Sequence, residues 1–199
     1  VFTLFCIVLT ICLGFWQLNR LQWKESLIKT FEINSSKSPI NLVDSKATEF
    51  LKVKVKGEIN RNYKIFFPAK TLNGKNGFRL VSILNIADGE NILIDEGWYA
   101  EENHEYFLRN TMVFSKEIIG YIRYPRKSKL FTPKNNFASN EWYTYSLEEI
   151  EEYLEIKINQ KYFIKNMSEL EESFLVPSEL TPSFRNNHLQ YAITWFVMS

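Results

Sequence analysis

The sequence predicts an α+β membrane protein, with two transmembrane helices flanking a mainly antiparallel, β-rich soluble domain that carries a short helix. Three observations lead to this class: an uncharged start, a middle that alternates apolar and polar residues, and an apolar, aromatic end. The predicted first membrane helix is 1–19, continuing as an interfacial helix to about 33. The soluble domain is 34–184, and 186–199 begin a second membrane helix that is truncated.

The first apolar run, residues 1–18, has the length of a membrane span. About 18 residues cover roughly 27 Å as a helix, close to the hydrocarbon thickness of about 30 Å. A cleaved signal peptide is the alternative, but its basic leading region and small-residue cleavage site are not visible. We therefore expect a retained anchor, and the start at Val1 instead of Met favours missing upstream residues.

Aromatic and basic residues follow the first span at helical spacing. Trp16, Arg20 and Trp23 lie at i, i+4 and i+7, so they share a face. Trp16 suits the lipid headgroup level, and Arg20 and Lys24 can reach phosphates. Two interpretations stay open: an ordinary interfacial belt, or a cation that pairs with an anionic group, either lipid or a cofactor propionate.

The middle of the chain carries strand and turn signals. Residues 51–56 alternate apolar and charged side chains, Gly57 indicates a bulge, and Pro68 is expected to stop a second strand at 63–67. The other predicted strands are 78–86, 91–95, one within 112–124, 161–165 and 173–176. Turns are expected at 73–77 and 88–89, a long loop at 126–140, and a short helix from a capping box at 146–149 to about 154.

Composition excludes several function classes. A net charge of +1 gives no basic footprint for nucleic acid. Cys6 and Cys12 both lie in the first apolar run, which excludes a disulfide framework and a cysteine zinc site in the soluble part. No nucleophile elbow, phosphate loop or HExxH pattern occurs. His104 lies in a polar stretch and is expected to be solvated, so we predict that the protein is not an enzyme.

The last segment places a histidine at the mouth of the second helix. Asn186 and Asn187 are suited to cap it. His188, Tyr191 and Trp195 lie at i, i+3 and i+7 and are expected on one face. A histidine among aromatic residues at a membrane interface can serve as an axial ligand of haem iron. The alternative is a histidine that caps the helix or contacts headgroups.

Two stretches resemble the surfeit locus family of cytochrome c oxidase assembly factors. GFWQLNRLQWK at 14–24 is similar to the family's motif where the first span ends, and NNHLQYAITWF at 186–196 to its motif where the second begins. Weaker marks lie between them: Val55, Gly57, Gly77, Phe78, Gly97, Trp98, Gly120, Arg123, Pro125 and Trp142.

This resemblance implies a multi-pass protein of the bacterial inner membrane with its domain in the periplasm, or of the mitochondrial inner membrane if eukaryotic. The positive-inside rule favours the opposite orientation, because Arg20, Lys24 and Lys29 follow the first span and would place that flank in the cytoplasm. The protein would assist insertion of haem a into oxidase subunit I without catalysing a reaction. The implied partners are subunit I, the haem a synthesis machinery and membrane lipid. The implied cofactor site comprises His188, as the iron ligand, with Trp16, Gln17, Arg20, Tyr191 and Trp195.

The chain departs from the family pattern at one place. The family usually has Asn-Arg-Gly-Trp-Val-Pro after the central strand, whereas this chain has DEGWYA at 95–100. An acid therefore replaces the arginine, which argues against a partner-binding role for a basic residue here. Gly97 and Trp98 are expected to form a tight turn and a core anchor.

Two other functions remain open from the sequence. One is a structural chaperone that holds an oxidase subunit without touching haem. The other is a membrane-tethered periplasmic binding module unrelated to the oxidase, for which a deletion strain would keep normal oxidase haem content.

Overall fold

The computed structural model describes residues 1–42, 46–126, 131–180 and 187–199. The chain divides into a helical unit that contains the two terminal helices and a sheet unit of residues 37–180. Its elements are α1 (Phe2–Ser35), β1 (Ile40–Asn41), β2 (Lys52–Leu72), β3 (Lys75–Ile86), β4 (Asn91–Ala100), α2 (His104–Arg109), β5 (Val113–Arg123), α3 (Leu147–Leu154), β6 (Phe163–Asn166) and α4 (His188–Val197).

The strands of the sheet unit close into a ring. β2 pairs with β3, β3 with β4, β4 with β6, β6 with β5, and β5 again with β2. Only β4–β6 is parallel in this ring, and the short β1 adds to β2 in parallel. Closure leaves fewer unpaired strand edges. The β-rich, mainly antiparallel domain predicted from the sequence is confirmed.

Strand alternation builds two hydrophobic clusters. One face of the strands forms the interior cluster of the ring, which includes Val53, Ile59, Phe66, Leu80, Leu84, Ile92, Ile94, Ile118, Ile122 and Ile164. The opposite face packs against α3 and the loop before it, through Ile65, Phe67, Val81, Ile83, Leu93, Trp142, Leu147, Ile150 and Phe163. Each of these large side chains contributes roughly 1.5–3 kcal/mol by burial. Both faces of the sheet are therefore stabilised by buried hydrophobic side chains.

β2 is one long strand where the sequence predicted two. Pro68 does not stop it but pairs with Phe78, and β2 continues to Leu72. The amide of Phe66 donates to Asn140 on the side away from β3. Residues two apart in a strand point their N–H groups the same way, so the missing N–H of Pro68 removes no bond to β3.

The predicted bulge and turn are displaced. Gly57 keeps regular register with both Ile86 and Lys116, and the irregularities of β2 lie between Asn60 and Ile65 and between Ala69 and Leu72. The turn after β2 is Asn73–Gly74, both with positive φ, as in a tight two-residue hairpin. Residues 75–77, predicted to be part of the turn, begin β3 instead.

Two further predictions are corrected, and a third, the loop at 126–140, agrees with its described residues. Residues 173–176 form no strand, and only Val176 makes a bridge, to Trp98. The short helix α3 begins where expected, but Ser146 makes no side-chain capping bond. The burial of Leu147 and Ile150 stabilises α3 without that bond. No helix or strand lies in the described part of 126–140.

One described helix, α1, is long and apolar enough to cross a membrane. The predicted span and its interfacial continuation form a single helix of 34 residues. α4 has ten residues, or about 15 Å, half the hydrocarbon thickness of about 30 Å. A second span is therefore not shown and stays a prediction. Asn186, expected to help cap α4, lies outside the described residues.

Candidate cofactor site on the terminal helices

The two terminal helices pack closely at a glycine. Gly14 is buried, and a Cβ at this position would overlap the ring of Phe196. The neighbouring Phe15 meets Phe196 edge to face, with ring centroids 5.5 Å apart. A glycine lets a large side chain of a neighbouring helix approach the backbone. This contact brings α4 against α1 one turn before the polar residues of α1.

At that next turn, a hydrogen bond joins the helices. Nδ1 of His188 lies 2.8 Å from Oε1 of Gln17. Both residues are half-buried. His188 is the first residue of α4, and Gln17 lies one turn beyond Gly14 on α1. The structure thus brings together two of the predicted site residues.

The packing face of α4 differs from the predicted one. Ala192 is buried, and His188 and Trp195 are half-buried, so the face follows i, i+4 and i+7. Tyr191 is 53% exposed and lies at the margin of this face. Asn187 precedes the helix but makes no side-chain capping bond. The histidine therefore contacts the partner helix and does not cap its own.

The aromatic and basic residues after the first span lie at the surface of α1. Trp16 is 53% exposed. The Arg20 guanidinium stacks over the Trp23 ring at 4.6 Å, a cation–π contact, and forms no ion pair with a described residue. Among the described residues, no hydrogen bond or ring contact joins Trp16 or Arg20 to His188. Their exposure leaves an aromatic face and a cation accessible on the same helix as Gln17.

This arrangement offers one nitrogen ligand and no multidentate metal site. No cluster of three or more His, Cys, Asp or Glu side chains occurs in the described ranges. A haem needs only an axial ligand from the protein, because its porphyrin supplies the other four nitrogens. One imidazole, exposed aromatic side chains and a guanidinium that forms no ion pair with the described residues therefore fit a haem better than a bare ion.

Sequence reasoning missed a buried charge cluster inside the ring, Arg61–Glu96–Glu172. Arg61 is fully buried and bonds Glu96 at 2.7 Å and Glu172 at 3.0 Å. Ser82 donates a further bond of 2.7 Å to Glu96. Burial raises the pKa of Glu96, although Arg61 opposes this. Burial also disfavours the charge of Arg61, but Glu172 and Glu96 outweigh it and raise the pKa of Arg61.

A second charge cluster lies on the other face of the sheet. Asp95 is fully buried and contacts Arg79 at 2.6 Å, Lys165 at 3.0 Å and the Tyr145 hydroxyl at 2.9 Å. Burial alone would raise the pKa of Asp95, but Arg79 and Lys165 outweigh it and lower that pKa to about 2. Adjacent acids in the sequence thus serve two separate clusters. The signal in the sequence was a pair of acids inside a strand, where charge is costly.

The two acids lie at a β-bulge of β4. Leu80 pairs with Gly97 and Val81 with Asp95, which leaves Glu96 as the extra residue. Gly97 has φ of 152° and lies inside β4, so the predicted tight turn is wrong. Trp98 is half-buried over Gly77 and is not a core anchor.

His104 is not the solvated histidine that the sequence predicted. It stacks on Phe78 at 4.4 Å, and its Nδ1 lies 2.8 Å from the Tyr99 hydroxyl. Burial lowers the pKa of His104. The polar residues that surround His104 in the sequence did not indicate that it begins α2 and that its imidazole packs against aromatic side chains.

These observations define the class as a sheet-ring protein with an N-terminal helix able to span a membrane. A sequence model of the SURF1 family matches residues 4–199, and the chain belongs to this family. The resemblance found in the terminal motifs is thereby confirmed.

Curated relatives agree over nearly the whole chain. A SURF1-like protein of Rickettsia felis is 31% identical over 194 residues, which cover 94% of this chain and 85% of that protein. The SURF1-like protein of Rickettsia prowazekii is 33% identical, over 96% of this chain and 80% of the relative. Surfeit locus protein 1 of Gallus gallus is 24% identical, over 93% and 66% respectively.

Proposed function

We propose that this protein is a cytochrome c oxidase biogenesis factor that binds haem a between α1 and α4 and assists its insertion into subunit I. Membership of the SURF1 family supports the general role in oxidase assembly. The contact of His188 with Gln17 carries the haem proposal, because it holds an imidazole between the two terminal helices.

The residues would hold haem a in distinct roles. His188 would bind the iron, and haem supplies a planar macrocycle whose open axial position accepts an imidazole. The exposed guanidinium of Arg20 suits a propionate, because arginine pairs with carboxylates in a bidentate manner. Trp16, Tyr191 and Trp195 would cover the macrocycle and keep water from it. In this role the protein carries haem and catalyses no reaction.

The proposal includes a location and partners. α1 would anchor the chain in the bacterial inner membrane, with α4 entering the same membrane and the sheet unit in the periplasm. A mitochondrial inner membrane is the equivalent site in a eukaryote. The partners would be oxidase subunit I, the haem a synthesis machinery and membrane lipid.

Co-production with haem a synthesis enzymes, purification and an absorption spectrum test the haem proposal. We expect the wild type to carry haem a and His188→Ala to show a shifted spectrum at equal haem loading. His104→Gln is the matched control, since His104 is the other of only two histidines and lies in the sheet unit. A His188→Ala spectrum identical to wild type would refute ligation by His188.

A second function, a structural chaperone without haem, is favoured by the close packing of Gly14 against Phe196. In that case the Gln17–His188 bond would only join the helices. His188→Ala would then leave the haem content of the oxidase unchanged, whereas Gly14→Leu, which forces the helices apart, would reduce oxidase assembly.

A further inference from the structure

Gln17 presents a specific chemical group to His188. The atom facing Nδ1 is the carboxamide oxygen, at 2.8 Å. A carboxamide oxygen only accepts hydrogen bonds, so the ring nitrogen opposite it must donate. A neutral imidazole carries one N–H, and the other nitrogen keeps its lone pair. The contact therefore favours the tautomer with the proton on Nδ1 and the lone pair on Nε2.

His104 provides a contrast within the same chain. Its Nδ1 faces the hydroxyl of Tyr99, also at 2.8 Å. A hydroxyl can donate or accept, so this contact is compatible with either tautomer. Only the histidine of the helix pair faces a group that selects one form.

The close packing of the helices supports this contact. Gly14 lies three residues before Gln17, so the two share a face of α1. Because Phe196 packs directly on Gly14, α4 lies close enough to α1 for the Gln17 side chain to reach His188. Within the described residues, the bond to Gln17 is the one hydrogen bond of the His188 side chain, and Nε2 forms none with them.

We propose that Gln17 is a positioning residue, which holds Nδ1–H of His188 and so presents Nε2 as the atom that binds iron. This inference rests on the proposed function and adds the residue that orients the ligand. Histidines that bind metals commonly donate their second N–H to an acceptor, which fixes the ring and increases its basicity. Loss of such an acceptor typically lowers metal affinity about 10–100-fold.

Nitrogen-15 NMR of the full chain in detergent micelles, without haem, tests the tautomer directly. The chain has two histidines, so His188→Ala assigns the signals. We expect Nδ1–H in the wild type, a mixture of tautomers in Gln17→Leu, and Nδ1–H again in Gln17→Glu, which retains an acceptor. Gln190→Leu is the matched control, because it removes an exposed glutamine from α4. A wild-type His188 protonated on Nε2 would overturn the inference.

Titration with haem a then separates the inference from the proposed function. We expect Gln17→Leu to weaken haem a binding about tenfold or more, and Gln17→Glu and Gln190→Leu to bind within about threefold of wild type. Unchanged affinity in Gln17→Leu would overturn the positioning role alone. A wild type with Nδ1–H that binds no haem a would overturn the proposed function and leave the tautomer assignment standing. Thermal unfolding of each variant checks that the helix pair still forms.

Discussion

Arg61→Met should destabilise the sheet unit strongly. The Arg61 side chain is fully buried and lies between Glu96, also fully buried, and Glu172, which is 7% exposed. Methionine fills similar space without charge, so the substitution leaves two carboxylates without their cation. Ser82 still donates to Glu96, and Tyr106 and Asn110 still donate to Glu172, but these neutral donors cannot neutralise the two carboxylates.

The magnitude follows from the burial of these groups. Removing one member of a buried ion pair costs about 3–5 kcal/mol, since the remaining charge stays desolvated. For a domain of this size each kcal/mol shifts Tm by roughly 2–4 °C, which predicts a loss of roughly 6–20 °C. Burial already raises the pKa of Glu96, and the loss of Arg61 raises it further. Glu96 then takes up a proton on folding, so the deficit is largest at neutral pH and shrinks as pH falls.

Thermal unfolding of the detergent-solubilised full chain, followed by near-ultraviolet circular dichroism at several pH values, measures this loss. Arg61→Met/Glu96→Gln/Glu172→Gln removes all three charges and should recover most of the stability, because a neutral replacement of a buried charge cluster is often tolerated. Lys75→Met is the matched control, since Lys75 forms an exposed ion pair. A loss below about 1 kcal/mol for Arg61→Met, or no recovery in the triple variant, would refute the argument.

Two further predictions concern the second charge cluster and the bulge. The pKa of Asp95, about 2, lies below its ordinary 3.8, so Asp95 stabilises the fold above about pH 4 and that contribution is lost as pH falls towards 2. Asp95→Asn should lower stability at neutral pH by at least about 2 kcal/mol and flatten its pH dependence below pH 4, as urea unfolding across this range can measure; an unchanged acid profile would contradict it. Gly97→Ala should cost roughly 1–3 kcal/mol, because φ is positive and a Cβ would lie 2.5 Å from the carbonyl oxygen of Val176. Faster hydrogen exchange of the Val176 amide, which donates to Trp98, would show that this contact opens, and unchanged exchange would contradict it.

Strand periodicity predicted most of the sheet because it reports local burial. The alternation in residues 51–56 marked the start of β2, and the apolar run at 78–86 marked β3. The errors arose where partners distant in sequence decide. Pro68 is tolerated because an N–H at this position would point away from β3, and that direction depends on the register of β2 with β3. Ring closure by β2 and β5 likewise has no local signal.

The candidate site, too, was predicted only where the signal is local in the sequence. Helical spacing placed His188 and Trp195 on one face, and the family motifs indicated which residues of α1 to consider. Spacing within one helix could not show which residue of α1 hydrogen-bonds His188. In the structure it is Gln17, and not Trp16 or Arg20. That depends on the rotation of the two helices about their axes, which the contact of Gly14 with Phe196 sets.

The acid that replaces the family's usual arginine is explained by the interior of the ring. At the bulge, Glu96 joins Arg61 inside, while Asp95 contacts Arg79 on the opposite face. An arginine in place of Glu96 would put a second buried cation against Arg61, so the acid is matched to Arg61. The Glu96 side chain is fully buried and cannot contact a partner protein. The departure therefore concerns the charge balance of the domain interior, and the Glu96 side chain adds nothing to the domain surface.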